Sequence, residues 1–356
     1  MLAGNVGEWS EIFVVLRLLG DGQINFANSD LSPKAEVHLS VVEVHRNGPM
    51  GQLSFVIDDN DRELIRIAGS DEIVCTRTEI VEAANQLFEA LKIGGSSIQV
   101  PQLESLLARM RTYQLAAPST GKTDLSVVVR DGRTGGLSLM SFSVKSQVGG
   151  AATLLNASGA TSFRYPVLGT ASDIQSLEAL GQEPQQIIAY SREHNIQIGP
   201  GQPLNATLKN NLRMVDSGMP AIVSVMLFGH FAGEGTLLSD VAEYLEVIDP
   251  LEIGDLNAST FYTHKIKDLL VDIALGMTPS KKWDGSYIVN AGHLIVTKNG
   301  QVACLMFDDR DVFREYLFSN TKFDRGSRTR HNYGAVGRDD DGVAFLDLNL
   351  QIRFVR

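Results

Sequence analysis

Between Thr123 and Gln147 two strand-like runs, DLSVVVR and LSLMSFSVKSQ, flank the sequence DGRTGG, whose glycines tolerate positive φ. The segment therefore commits the chain to a sheet containing a β-hairpin. Side chains alternate along a strand, so Ser141, Ser143, Lys145 and Gln147 share one face while Phe142 and Val144 share the other. A strand inside an α/β sheet is usually apolar on both faces. The polar row thus reads either as a solvent-facing edge or as a functional cleft. Asp124 opens the first strand and alone would pass for a turn residue, but the hairpin sets it beside Lys145. An acid with a lysine suits metal-assisted attack on a phosphodiester: the carboxylate holds a divalent cation, and the lysine stabilises developing charge or orients the attacking water. Such a site normally needs a second acid. Ser143 carries no charge, and 146–172 contains no Asp or Glu. Glu8 and Glu11, three residues apart on the first helix, occupy neighbouring positions of one face and are the candidates. Their plain alternative role is to complement the positive end of the helix dipole.

Around the hairpin, Trp9, Ile12, Phe13, Leu16 and Leu19 recur at helical spacing and predict an amphipathic helix over about 8–19, ended by Gly20. The runs AEVHLSVVEVHR and GQLSFVI over 36–57 predict strands, and 78–92 and 102–113 predict helices, the second basic through Arg109 and Arg111. TLLNAS reads as a helix start with Thr153 as N-cap. Further on, AIVSVMLFGHF over 221–231 reads as a strand, followed by helices near 236–247 and 259–276. The end of the chain reads as a module: a hairpin turning at Asn299-Gly300, a helix over about 309–318, an arginine-rich loop and a single strand, FLDLNLQIRF. These elements divide into an N-terminal region (1–115), a core (116–232) and a C-terminal region (233–356).

The 31 Lys and Arg against 42 Asp and Glu give a net charge of −11, which argues against nonspecific coating of nucleic acid and leaves room for a local basic cleft. Cys75 and Cys304 stand far apart, outside any zinc or disulfide pattern, and fit a reducing cytoplasm. No signal-like N-terminus and no run of about 18 apolar residues occurs, so a soluble, unexported protein without a membrane partner is expected. Gly121-Lys122-Thr123 resembles the end of a P-loop, but Ala116 stands where its first glycine belongs, so no nucleotide or organic cofactor is expected. The sequons at Asn156, Asn205 and Asn257 carry no weight without export.

Six separated blocks, GEWSE (7–11), FSVKSQVGGAATLLNASGATSF (142–163), DGSY (284–287), YLFSNTKFD (316–324), SRTRHNYG (327–334) and LNLQIRF (348–354), together resemble the HpaII family of type II restriction endonucleases. The resemblance implies an α/β (α+β) PD-(D/E)xK core, a central mixed sheet flanked by helices, and Mg²⁺-dependent double-strand cutting of DNA at a short palindrome, CCGG or a related site. It makes Asp124 a metal ligand, Lys145 the catalytic lysine and the Val144 carbonyl a further ligand. Glu8 or Glu11 then supplies the missing acid, and Gln147 touches the scissile phosphate or its water; whether one or two metal ions act stays open. Arginine matches guanine, and Asn or Gln matches adenine, while hydroxyls and lysines mostly hold phosphates. Asn156, Ser158, Thr161 and Arg164 follow the catalytic strand and are expected near a groove, or else form a capped, hydroxyl-rich helix. Arg325, Arg328, Arg330 and His331 form the densest basic run and are expected to contact DNA, the plain alternative being a solvated loop. A twofold target implies a homodimer, and a host carrying such an enzyme needs a companion methyltransferase. Two other classes remain: a modification-sensing DNA binder with a decayed site, for which Ser143 argues, and a repair nuclease that reads DNA structure.

Overall fold

Helix Val6–Asp21 is apolar on nearly every side, with Trp9, Ile12, Phe13, Val14, Val15, Leu16, Leu18 and Leu19 all buried. A helix of that composition must sit inside a protein, not on it. In the computed structural model, which describes residues 2–48, 51–58, 61–70, 72–95, 97–115, 123–254 and 258–355, it anchors the first of two compact units, 1–152 with 288–313. The second comprises 153–287 with 314–355. The divisions expected at 115/116 and 232/233 fall inside these units, because strand pairing carries the chain across the first and helix packing across the second. Ala116, Gly121, Lys122 and Asn257 lie outside the described residues.

The first unit is built on a nine-stranded mixed sheet. Its central path runs through Gln23–Ala27, Val302–Met306, Gly292–Val296, Leu137–Ser146, Leu125–Arg130 and Pro33–Gly48, then outward through Gly51–Ile57, Leu64–Ile67 and Ile73–Thr76. Gln23–Ala27 also pairs with the first half of Pro33–Gly48, so the path returns on itself. Two neighbours are parallel, Gly292–Val296 with Leu137–Ser146 and Val302–Met306 with Gln23–Ala27; the other pairings are antiparallel. Helix Arg77–Ile93 packs on the central helix, where Gly20 admits Val81.

The hairpin forms as expected, closed by Asp131, whose Oδ1 accepts from the N–H groups of Arg133 and Thr134 at 2.7 and 2.9 Å. It is no edge. Gly292–Val296 pairs with the far side of Leu137–Ser146, which makes this an interior strand, and Ser143 is 3% exposed. The edge reading fails because the covering strand comes from about 150 residues downstream, a distance invisible to local pattern. That strand turns at Asn299-Gly300 with Gly300 at φ 78°, and its hairpin completes the first unit's sheet instead of belonging to a terminal module. The 102–113 helix shrinks to a 3₁₀ turn, Pro101–Leu103, and a short helix, Glu104–Arg109. Its basic side chains are committed to acids, Arg109 to Glu79 and Arg111 to Glu72.

In the second unit, Ser162–Leu168 pairs with Ala344–Asn349, and Ile352–Phe354 lies between Thr153–Leu155 and Thr321–Phe323. Three expectations are overturned here. Thr153–Leu155 is a strand, not a helix start, because Ile352–Phe354 supplies its backbone partners. AIVSVMLFGHF lies in helix Met219–Ala232, whose all-round burial erases the periodicity that tells helix from strand. Pro220 in its first turn and Gly233, left-handed at φ 88°, are the start and stop signals. FLDLNLQIRF likewise breaks at Leu350, whose N–H donates to the Thr161 carbonyl, into two strands of different sheets. Among the described residues no single helix is long and apolar enough to cross a membrane.

Candidate active site on the interior hairpin

Where Leu125–Arg130 stops pairing, Asp124 turns its carboxylate back on the neighbouring strand. Its N–H donates to the Phe142 carbonyl at 3.0 Å, holding the backbone in line. Its Oδ2 then accepts from the Val144 N–H at 2.6 Å and the Ser143 hydroxyl at 3.0 Å. The Lys145 ammonium donates to the same Ser143 hydroxyl at 2.8 Å. Acid, serine and lysine thus form one hydrogen-bonded chain, and Ser143 is its middle link. Burial pushes the Lys145 ammonium below its usual range, while Asp124 and Glu11 oppose that shift.

The two helix acids separate cleanly. Glu8 closes a capping box: its Oε2 accepts from the Asn5 N–H at 2.8 Å while Asn5 accepts from the Glu8 N–H at 3.1 Å. Glu11 is not used this way. Burial, reinforced by Asp124 and Glu8 and opposed by Arg46 and Lys145, pushes its carboxyl from 4.5 to about 8, and its Oε2 is buried without a hydrogen-bond partner. An uncompensated buried carboxylate beside a second carboxylate is the electrostatic condition that a cation relieves. Among the described residues no three His, Cys, Asp or Glu side chains form a metal cluster. Gln147 follows the strand, with its N–H donating to the Val296 carbonyl at 2.9 Å, and its side chain is half-buried.

Arg46 is the residue that sequence reasoning missed. It is 2% exposed, its guanidinium donates to the carbonyls of Gln114 and Leu115, and its charge acts on Glu11. The signal was a lone arginine within a strand run that the sheet buries.

The other expected contacts all lie in the second unit. Thr161 is fully buried and bonds Ser158 and Asn349, while Ser158 and Thr161 cap the 3₁₀ turn Gly159–Thr161. Arg164 makes a bidentate pair with Asp347, both bonds at 2.8 Å, and its guanidinium stacks 3.4 Å from the Phe345 ring centre. These two side chains are committed to the fold; Asn156 is exposed. The basic run forms a helical turn, Arg328–His331, capped by Ser327. Arg328 pairs with Glu183 at 2.7 Å and Arg325 bonds Gln185 at 2.8 Å. Arg330 is exposed with no side-chain partner among the described residues, and His331 is half-buried beside Gly326.

The family model described as HpaII restriction endonuclease matches residues 5–354. A curated relative, the type II restriction enzyme HpaII of Haemophilus parainfluenzae, is 30% identical over 359 residues, covering 99% of each chain. No solved structure matches.

Proposed function

The chain belongs to the HpaII restriction endonuclease family, and we propose that it is a type II restriction endonuclease making Mg²⁺-dependent double-strand cuts at CCGG or a related short palindrome. The observation that carries the chemistry is the Asp124–Ser143–Lys145 chain with the orphaned Glu11 carboxylate acting on it. The interior hairpin on a mixed sheet, with its acid at a strand end and its lysine on the next strand, supports a PD-(D/E)xK core in which the second acid has moved to the first helix.

In this reading Asp124, Glu11 and the Val144 carbonyl hold Mg²⁺, which when bound supplies Lewis-acid polarisation of the phosphate and a more acidic water. Two hard carboxylate donors suit that ion, and Glu11 has no competing bond on Oε2. Glu8 is spent on the helix cap. Lys145 faces the charge that builds on the scissile phosphate, and Ser143 fixes both the ammonium and the Asp124 oxygen so that neither rotates away. The buried Arg46 guanidinium limits the repulsion between the two acids. Gln147, next along the polar face, orients the phosphate or its water. Of the basic run, the exposed Arg325 and Arg330 are best placed to reach DNA, with His331 and Arg328 beside them and Asn156 on its own loop. Thr161 and Arg164 act through the fold that carries these groups. A palindromic target favours a homodimer with one site per strand, a cytoplasmic place of action and a companion methyltransferase in the host.

The test is digestion of unmethylated and CpG-methylated plasmid with Mg²⁺ or EDTA, followed by mapping of the ends. Discrete, metal-dependent ends at one palindrome are expected. Binding without cutting under all metal conditions supports a decayed, modification-sensing protein instead, and cutting confined to junctions or flaps supports a repair nuclease.

A further inference from the structure

Asn211 is 1% exposed on helix Ala206–Val215, and its whole amide is spent on one loop. Its Nδ2 donates to the carbonyls of Thr278 and Lys281 at 2.9 and 2.8 Å, and its Oδ1 accepts from the Trp283 N–H at 3.0 Å. A buried side chain satisfied this fully fixes what it holds. The loop 278–283 is thereby pinned against the helix, and between them lies a groove of about 400 Å³ lined by Thr207, Asn210, Arg213, Met214, Lys282 and Trp283.

The groove's chemistry is one-sided. Arg213 and Lys282 are exposed in its wall, Lys281 and Lys209 flank them in sequence, and none of the four has an ionic partner among the described residues. No carboxylate lines it among the described residues. The nearest acids in sequence are engaged elsewhere, Asp216 with Lys265 at 2.5 Å and Asp284 with the Ser286 hydroxyl and N–H at 2.5 and 3.0 Å. In a chain of net charge −11, a group of unpaired cations is a local reversal of sign. The arginine run at 325–331 differs, since Arg328 there already has Glu183. Trp283 adds a flat apolar wall that is itself held in place: its indole N–H donates to the Ser286 carbonyl at 2.8 Å and its ring stacks on Tyr287 at 6.4 Å and 28°. Cations beside a rigid ring fit a polyanion that also carries apolar faces, which describes a DNA strand.

We propose that this groove is a second DNA-contacting surface, in which Arg213 and Lys282 take backbone phosphates and Trp283 packs against the adjoining deoxyribose. The inference rests on the DNA-cutting reading above and adds to it a contact that positions duplex without reading bases.

The chain provides its own reporter. Its two tryptophans are Trp9, fully buried on the helix that carries Glu11, and Trp283 in the groove, so the part of an emission change on DNA binding that Trp283→Phe removes reports the groove. Full-length protein in EDTA is titrated with one duplex containing CCGG and one lacking it, over a range of salt concentrations. Expected are quenching that Trp283→Phe abolishes, and in Arg213→Gln/Lys282→Gln a salt slope of log K smaller by about 1.8, from roughly 0.9 per lost phosphate contact. The weakening should be equal on both duplexes. Unchanged slope in the double variant, or unchanged emission at saturating DNA, overturns the proposal. Failure of the parent reading looks different: the unaltered chain with Mg²⁺ then leaves no discrete ends at a palindrome, whatever salt slope and emission are read in EDTA.

Discussion

Glu11→Gln should make the metal-free protein more stable at neutral and alkaline pH while ending its cleavage of DNA. The carboxyl is raised from 4.5 to about 8, chiefly by burial and next by Asp124. Because the folded-state value lies above the ordinary one, folding favours the protonated acid. The stability is therefore fully present below pH 4.5 and is lost as pH rises through 8. At roughly 1.36 kcal/mol per unit, the stability lost relative to acid pH is about 3 kcal/mol at pH 7 and approaches about 5 above pH 8. Loss of the Arg46 interaction in the variant offsets part of this, so a gain of a few kcal/mol at most is expected. Glutamine keeps the size and removes the charge. Thermal melts in EDTA at pH 5, 7 and 9 should nearly coincide at pH 5 and separate in the variant's favour toward pH 9. Parallel curves for the two proteins across that window would refute the argument, because they would mean that Glu11 is not held under strain by its surroundings.

Asp124→Ala and Lys145→Ala should each abolish cleavage while leaving specific binding measurable by gel shift; full activity in either removes the site assignment. Ser143→Ala breaks the link between the acid and the lysine. With charge-assisted bonds worth roughly 1.5–3 kcal/mol, single-turnover cutting should slow by about 10-fold or more, and an unchanged rate would show that Ser143 is a bystander. Glu8→Ala should cost about 1 kcal/mol of thermal stability through the lost cap and leave cutting intact, read from melts and plasmid digestion side by side.

The parts of the fold legible in the sequence were those closed by local chemistry. Asp131 and the glycines after it specify one hairpin, Asn299-Gly300 the other, and the first helix follows from its apolar spacing. What failed depended on partners far along the chain. Thr153 is a strand residue only because 352–354 returns to it, and Leu137–Ser146 is an interior strand only because 292–296 pairs along it. The candidate site divides the same way. Asp124 and Lys145 were legible because one hairpin joins them, whereas choosing Glu11 over Glu8 needed the cap geometry. Asn5-x-x-Glu8 is a capping-box spacing that already hinted at the choice. Arg46 was not legible, since nothing near it in sequence says that its guanidinium is buried against the carbonyls at 114 and 115 and acts on Glu11.

In the proposed site the second metal-binding acid comes from the first helix. Its most direct test is the anomalous scattering of Mn²⁺ in crystals of the protein bound to a cleavage-resistant duplex. A peak is expected within roughly 2.0–2.6 Å of a carboxylate oxygen of both Asp124 and Glu11. A peak on Glu8, or one that touches Asp124 while Glu11 stays remote, would contradict it.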